Sequence, residues 1–339
     1  MSHLTSAGPA TGSARPEGAP RVSAPPARAS RRAPFPAWVE IRCPLCGADD
    51  YRVRLGDRLG RSDVDPQVHY TSTSSAFGEH GRIVQCNSCS IVYVNPRPHH
   101  QKVQDSYGEV EDTRYLEEEQ GRIETFSASL EHVRRFCPTG RLLDVGCHVG
   151  TFLTLGEQAG FEVAGVEPSR WAAGVARSRI RGSVHNGAVE DAPLPDGGYD
   201  VVTLWDVIEH LPDPALDIRA IHAALRPGGI FAVSTMDVDS LFARVAGKRW
   251  PWYMHMHLVY FSRQTLCEML RREGFEIADV SSHTRRVRLS YLASRLEPYA
   301  PPVARALVAG LDRTGLATRT VGVNLGDIIT VVARKSVHD

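Results

Sequence analysis

Four of the chain's seven cysteines stand in two C-x-x-C pairs, Cys43 with Cys46 in "CPLCG" and Cys86 with Cys89 in "CNSCS". Two thiolates at that spacing can hold one face of a tetrahedral ion while the turn's backbone amides stabilise the sulfurs, so two pairs together make a zinc site. Four cysteines leave no coordination position open for a substrate, and the expected role of the ion is structural. The odd cysteine total and the paired spacing suit metal binding in a reducing compartment better than a disulfide framework. The 39 residues between the pairs must be accommodated as an inserted loop.

A second group suited to chemistry lies in "WDVIEHLPDP", where Asp206 and Glu209 are three apart and His210 is adjacent. Such residues can remove a proton from a hydroxyl at a turn. They can equally be capping acids and a packing histidine. The segment "RWPWYMHMHLVYFS" (249–262) adds His255 and His257, which share a side if the chain is extended; His257 is the second candidate base. Its aromatic residues fit an acceptor-binding wall or a strap packed under the next helix, and Tyr260 and Phe261 are assigned to the strap.

These residues need rigid elements behind them. From Arg141 onward, apolar strand-like runs at 141–146, 161–167, 182–187, 199–206, 229–236, 275–281 and 326–334 alternate with helical patterns near 150–159, 170–178, 213–225 and 263–273. Near-continuous apolar strands separated by helices predict an α/β doubly wound sheet, with ligands at the carboxyl ends of its strands. The expected order is a disordered tail over 1–36, a zinc-binding module over 37–98, a linker helix over 99–137 and a main domain over 138–339 with a helical insertion near 287–316. In the linker, Tyr115, Leu116, Ile123, Phe126, Leu130, Val133 and Phe136 recur at helical steps.

Charge narrows the partners. Lys plus Arg and Asp plus Glu both number 39, so no global basic field favours nucleic acid. The tail holds five arginines and one glutamate, with no apolar periodicity. There is no apolar stretch of the roughly 7–15 residues a signal peptide needs or the roughly 18 of a membrane span, so a cytoplasmic protein without membrane association is expected.

The loop "RLLDVGCHVGTF" then becomes interpretable. Asp144 stands two residues before Gly146, Gly150 follows four later, and Glu167 closes the second strand in "GVEPS". This arrangement, with "VEDAPLPDGGYDVVTLWDVIEHLPDP", "LRPGGIFAVST" and "NLGDIITVVARK", resembles the class I S-adenosylmethionine-dependent methyltransferases; with the cysteine pairs it is similar to bacterial members that carry an N-terminal zinc module. The resemblance runs from about Cys43 to Lys335 and implies a seven-stranded Rossmann-like sheet whose last strand is antiparallel.

It further implies a cofactor site of Asp144, Gly146, Cys147, Gly150 and Glu167, the last accepting from both ribose hydroxyls, with Glu190 or Asp191 at the adenine amino group. His148 departs from the commonest loop, which has glycine there; its ring is expected either turned outward or at the cofactor's edge. D-x-x-E-H is similar to the E-x-x-E-H of some small-molecule O-methyltransferases, which can carry a divalent ion.

The leading expectation is methyl transfer to a small molecule, at a hydroxyl or else at carbon or nitrogen. The alternatives are an RNA methyltransferase gripping nucleic acid through its zinc module, and a non-catalytic or nicotinamide-type nucleotide binder. A homodimer is compatible with either enzyme reading.

Overall fold

The computed structural model describes residues 38–59, 65–74, 76–117, 119–297 and 300–337. The expected disordered tail lies outside them. The main sheet has seven strands: β1 (Gly140–Val145), β2 (Phe161–Val166), β3 (Ser183–His185), β4 (Tyr199–Trp205), β5 (Leu225–Met236), β6 (Phe275–Ser282) and β7 (Ile328–Lys335), in spatial order β6-β7-β5-β4-β1-β2-β3. β7 runs antiparallel to both neighbours, while β3, β2, β1, β4 and β5 are parallel.

The strands are buried on both faces, as their apolar runs demand: Leu142, Val201, Leu204, Phe231, Val233 and Val331 are 1% exposed or less. Flanking helices begin where the sequence supplies caps. Ser169 accepts from the Ala172 N–H before Arg170–Arg179, Asp213 and Pro214 open Pro214–Ala224, and Ser262 with Thr265 forms a capping box before Arg263–Arg272.

The order reverses between β1 and β4, opening a crevice at their carboxyl ends. There the chain must turn sharply. Gly146 has φ +74°, and a Cβ on it would lie 2.5 Å from a Val207 methyl.

The described residues all fall within one compact body, so the cysteine region is built into the main fold. Its strands Tyr51–Leu55, Ile83–Cys86 and Val92–Val94 make an antiparallel sheet completed by Val259–Tyr260, which comes from the aromatic connection after β5. Tyr260 and Phe261 are buried in this strap, as expected.

Over 99–137 the described residues are helical over His100–Glu109, Arg114–Glu117 and Glu119–Arg134, with a break between Glu109 and Arg114. The break has a local cause: Asp112 accepts from Thr73 N–H and Oγ1, and the Val110 carbonyl accepts from Ser169 Oγ, which pins the chain between turns. The helices Leu289–Ser294 and Pro301–Arg313 lie between β6 and β7. A hairpin the sequence reading did not include, Arg285–Arg288 against Thr320–Val323, closes this connection at the base.

Candidate active site

A cavity of about 1490 Å³ lies over the carboxyl ends of β1, β2 and β4. Asp144, Gly146, Cys147, Glu167, Glu190 and Asp191 line it on one side; Asp206, Glu209, His210 and His257 line it further along. Gly150 does not reach the wall. It starts the helix Thr151–Gln158 at φ +77°, and a Cβ there would press on Ala176 at 3.1 Å, so its small size serves helix packing.

On the first side, Asp144 ends β1 3% exposed and accepts from Thr203 Oγ1 at 2.7 Å. Burial pushes its pKa up to about 7 against that hydrogen bond. Glu167, directly after β2, accepts the His148 N–H on Oε2 and the Ser169 N–H on Oε1, each at 2.8 Å. Burial raises it also to about 7. The two amides fix the carboxylate at the crevice floor, and each oxygen keeps a further lone pair for a ligand hydroxyl.

His148 turns inward at φ +48°, which excludes the outward alternative. Its ring lies over Tyr115, with centroids 3.8 Å apart, and the Arg122 guanidinium sits 3.7 Å from the Tyr115 ring centroid. Burial drives the imidazole down to about 3, so it is neutral at physiological pH. Arg122, whose Nε is buried without a partner, is a cavity cation that sequence reasoning passed over among the charges of its helix.

On the second side, Asp206 stands apart from the other two members of its motif. Its Oδ2 pairs with Arg285 at 2.6 Å and its Oδ1 accepts from Ser234 Oγ at 2.9 Å. Burial opposes ionisation there, but Arg285, His283, the Ser234 hydrogen bond and His210 together outweigh it and hold Asp206 below the usual carboxylate range.

Glu209 is 1% exposed, with Oε2 taking the Thr235 hydroxyl at 2.8 Å and Oε1 without a hydrogen-bond partner, 3.8 Å from His210 Nε2. Burial, and then the negative charge of Asp206, push Glu209 up to about 8.

His210 Nδ1 lies 3.1 Å from the Met256 carbonyl and 2.9 Å from the Tyr107 hydroxyl, and His257 Nδ1 lies 2.7 Å from the Trp252 carbonyl. A carbonyl only accepts, so we assign both rings the tautomer with the proton on Nδ1, shared in His210 between the Met256 carbonyl and the Tyr107 oxygen, which leaves Nε2 bare. Burial lowers His210 to about 4 and His257 well below the ordinary histidine value. Two neutral imidazoles, 4.8 Å apart between centroids, thus present basic nitrogens beside a buried carboxyl.

His255 does not join them. Residues 250–257 fold through turns, and His255 packs against Tyr70, with Nε2 3.4 Å from its hydroxyl. Tyr107 gave no sequence signal, since it stands in the polar run "QDSYGEV".

The four paired cysteines converge as their spacing predicts. Cys43 and Cys89 sulfurs are 3.4 Å apart, Cys46 and Cys86 sulfurs 3.6 Å, and all four lie within 4.8 Å of one another. Those separations suit the edges of a tetrahedron around an ion bound at about 2.3 Å.

The methyltransferase domain family matches residues 115–280. A ubiquinone biosynthesis O-methyltransferase of Xanthomonas axonopodis is 30% identical over 202 residues, 52% of this chain and 82% of the relative. Another protein of that description, from Aromatoleum aromaticum, is 32% identical over 153 residues, 41% of this chain; the match spans 65% of the relative's length. Among solved structures, magnesium protoporphyrin IX methyltransferase of Synechocystis aligns at TM-score 0.42 and 16% identity, covering 64% of this chain and 84% of that one. The chain belongs to the S-adenosylmethionine-dependent methyltransferases. No helix among the described residues is long and apolar enough to cross a membrane.

Proposed function

We propose that the protein methylates a hydroxyl of a small-molecule acceptor. The observation that carries this reading is the placement of two bare imidazole nitrogens and Glu209 in the cavity that also holds Asp144 and Glu167. S-adenosylmethionine supplies an electrophilic methyl on a sulfonium. Asp144 and Glu167 offer negative charge for its ammonium and acceptors for its ribose, Glu190 or Asp191 faces the adenine end, and Arg122 offers a cation for its carboxylate.

Methyl transfer is an in-line displacement, so the chain must hold the acceptor oxygen behind the methyl group and remove its proton. His210 Nε2 is the proposed base: the Met256 carbonyl fixes its tautomer and Tyr107 holds its ring. The cavity exceeds the ~1,000 Å³ upper range of single-ligand sites, which leaves room for donor and acceptor together.

The alternative to His210 as base is a divalent ion held by Glu209, His210 and His257, since one Nε2 lone pair cannot both take a proton and bind the ion. The orphaned Glu209 Oε1 and the two bare Nε2 atoms fit one, with ligand atoms within 4.8 Å. Asp206, expected as a ligand from the motif, is occupied by Arg285, and His257 takes its place. Such an ion would polarise an acceptor hydroxyl and lower its pKa. Structural zinc on Cys43, Cys46, Cys86 and Cys89, and residence in a reducing cytoplasm, complete the proposal.

The test is calorimetry with S-adenosylhomocysteine followed by methyl transfer to catechol-type acceptors. His210→Ala should lower kcat by about 100-fold or more while leaving donor affinity within about threefold. Full activity in His210→Ala after chelation removes both the base and the ion. A chain that ignores S-adenosylhomocysteine and binds nicotinamide dinucleotide removes the whole reading.

A further inference from the structure

The cavity is electrically two-sided. Around the tips of β1 and β2 its charged walls are mainly acidic, whereas the side formed by the 206–210 turn, the strap and residues 283–295 presents Arg249, Arg285, Arg286 and Arg295 against Asp206, Glu209 and Asp327. Two of those acids are already occupied. Asp206 holds Arg285, and Asp327 accepts the indole N–H of Trp250 at 3.1 Å and of Trp252 at 2.8 Å.

Arg295 differs from its neighbours. It has no carboxylate partner among the described residues, and its guanidinium lies against two rings, 4.2 Å from the Tyr291 centroid and 4.9 Å from that of Phe77. It donates to the Ser74 carbonyl at 2.9 Å and to the Tyr291 hydroxyl. A guanidinium carries five N–H groups, so a planar cation held by two rings and two hydrogen bonds keeps donors for a further ligand at little entropic cost. Phe77 stands beside the strap, because Gly78 N–H donates to the Tyr253 carbonyl at 2.9 Å. On the same strap, the Trp252 ring carries the Arg285 guanidinium 4.9 Å from its centroid. Two cations therefore flank one aromatic wall, and the strap that forms it also holds His257.

We infer that the acceptor is an aromatic molecule bearing an anionic group, a carboxylate or a phosphate, which Arg295 binds while the ring lies against Trp252 and the reacting hydroxyl faces His210. The inference rests on the methyl-transfer reading. An offset-stacked ring supplies apolar contact, and the guanidinium edge supplies charge-assisted hydrogen bonds that an uncharged analogue cannot make.

The experiment is calorimetric titration of the full chain, saturated with S-adenosylhomocysteine, with four probes: catechol, protocatechuate, the amide of protocatechuate, and catechol monophosphate. Protocatechuate or the monophosphate should bind about tenfold or more tighter than the matching uncharged probe, and the tighter of the two identifies the anion. Arg295→Gln should bring that ratio close to one, and Arg295→Lys should keep part of it, with melting curves confirming that both variants fold. The inference is overturned by equal affinity for charged and uncharged probes in the wild type, by a preference that survives Arg295→Gln, or by failure of every probe to bind. Failure of S-adenosylhomocysteine itself to bind strikes the methyl-transfer reading instead, so the two can be told apart.

Discussion

The two halves of the cavity are built in different ways. The half around Asp144 and Glu167 is assembled mainly from residues 144–191, at the tips of adjacent parallel strands, joined by Tyr115 and Arg122, and its carboxylates are fixed by nearby amides and by Thr203. The opposite half draws Phe77, Tyr107, the 206–210 turn, the strap and residues 283–295 from across the chain. A strand tip dictates where its next residue points, so the carboxylates of the first half need only the sheet. The second exists only when the cysteine region, the strap and the insertion have docked on one another.

Cys86→Ser should separate the halves most sharply. A structural zinc site contributes folding free energy directly, so loss of one thiolate should abolish stoichiometric zinc and acceptor turnover while donor affinity stays within about threefold. Metal analysis beside S-adenosylhomocysteine calorimetry reads both outcomes; a zinc-free wild type that turns over normally sinks the proposed role of the cluster.

The reverse cut is Glu167→Ala, which removes the acceptor of two amides and of the ribose. Donor affinity should fall by about 100-fold, with the wild-type zinc content kept. Unchanged donor binding would place the ribose elsewhere.

Acidity should distinguish the halves next. Asp144 and Glu167 are both raised to about 7, so each is increasingly neutral as pH falls through that value and charged above it. A cationic donor needs the charged forms, and its affinity should fall about tenfold or more from pH ~8 to ~6. Affinity that is flat over this window excludes both carboxylates as its counter-charges.

The smallest effect expected is that of Tyr107→Phe, which deletes one hydrogen bond to His210 Nδ1 and leaves the Met256 carbonyl in place. Turnover should fall about threefold to tenfold, with KM for the donor unmoved and the pH profile of kcat displaced. An unchanged profile means that Tyr107 is packing alone.

The same contrast explains what could be read from sequence. "YDVVTLWD" predicts a strand at 199–206, and the structure places it at Tyr199–Trp205, because an apolar run between two turns has one way to be buried in such a sheet. The cysteine pairs were equally legible, since C-x-x-C spacing carries its geometry with it. The pairing of Asp206 with Arg285, 79 residues away, was not, because no local pattern announces which distant cation will claim an acid. That long-range contact divides the D-x-x-E-H motif, and it is the Leu258 N–H bond to the Glu209 carbonyl that brings the strap with His257 to Glu209 and His210. Arg295 was hidden for the same reason: its neighbours Ser74 and Phe77 are 221 and 218 positions earlier in the chain.

Leu258 joins the regions through its own backbone, its N–H donating to the Glu209 carbonyl at 2.7 Å and its carbonyl accepting from Val94 N–H at 2.9 Å. Anyone grafting the cysteine region onto a related enzyme would therefore have to transplant residues 249–262 with it, because a chimera that exchanges only 37–98 pairs a foreign edge with a native one. The unit that can be inherited or engineered as a piece is discontinuous in sequence.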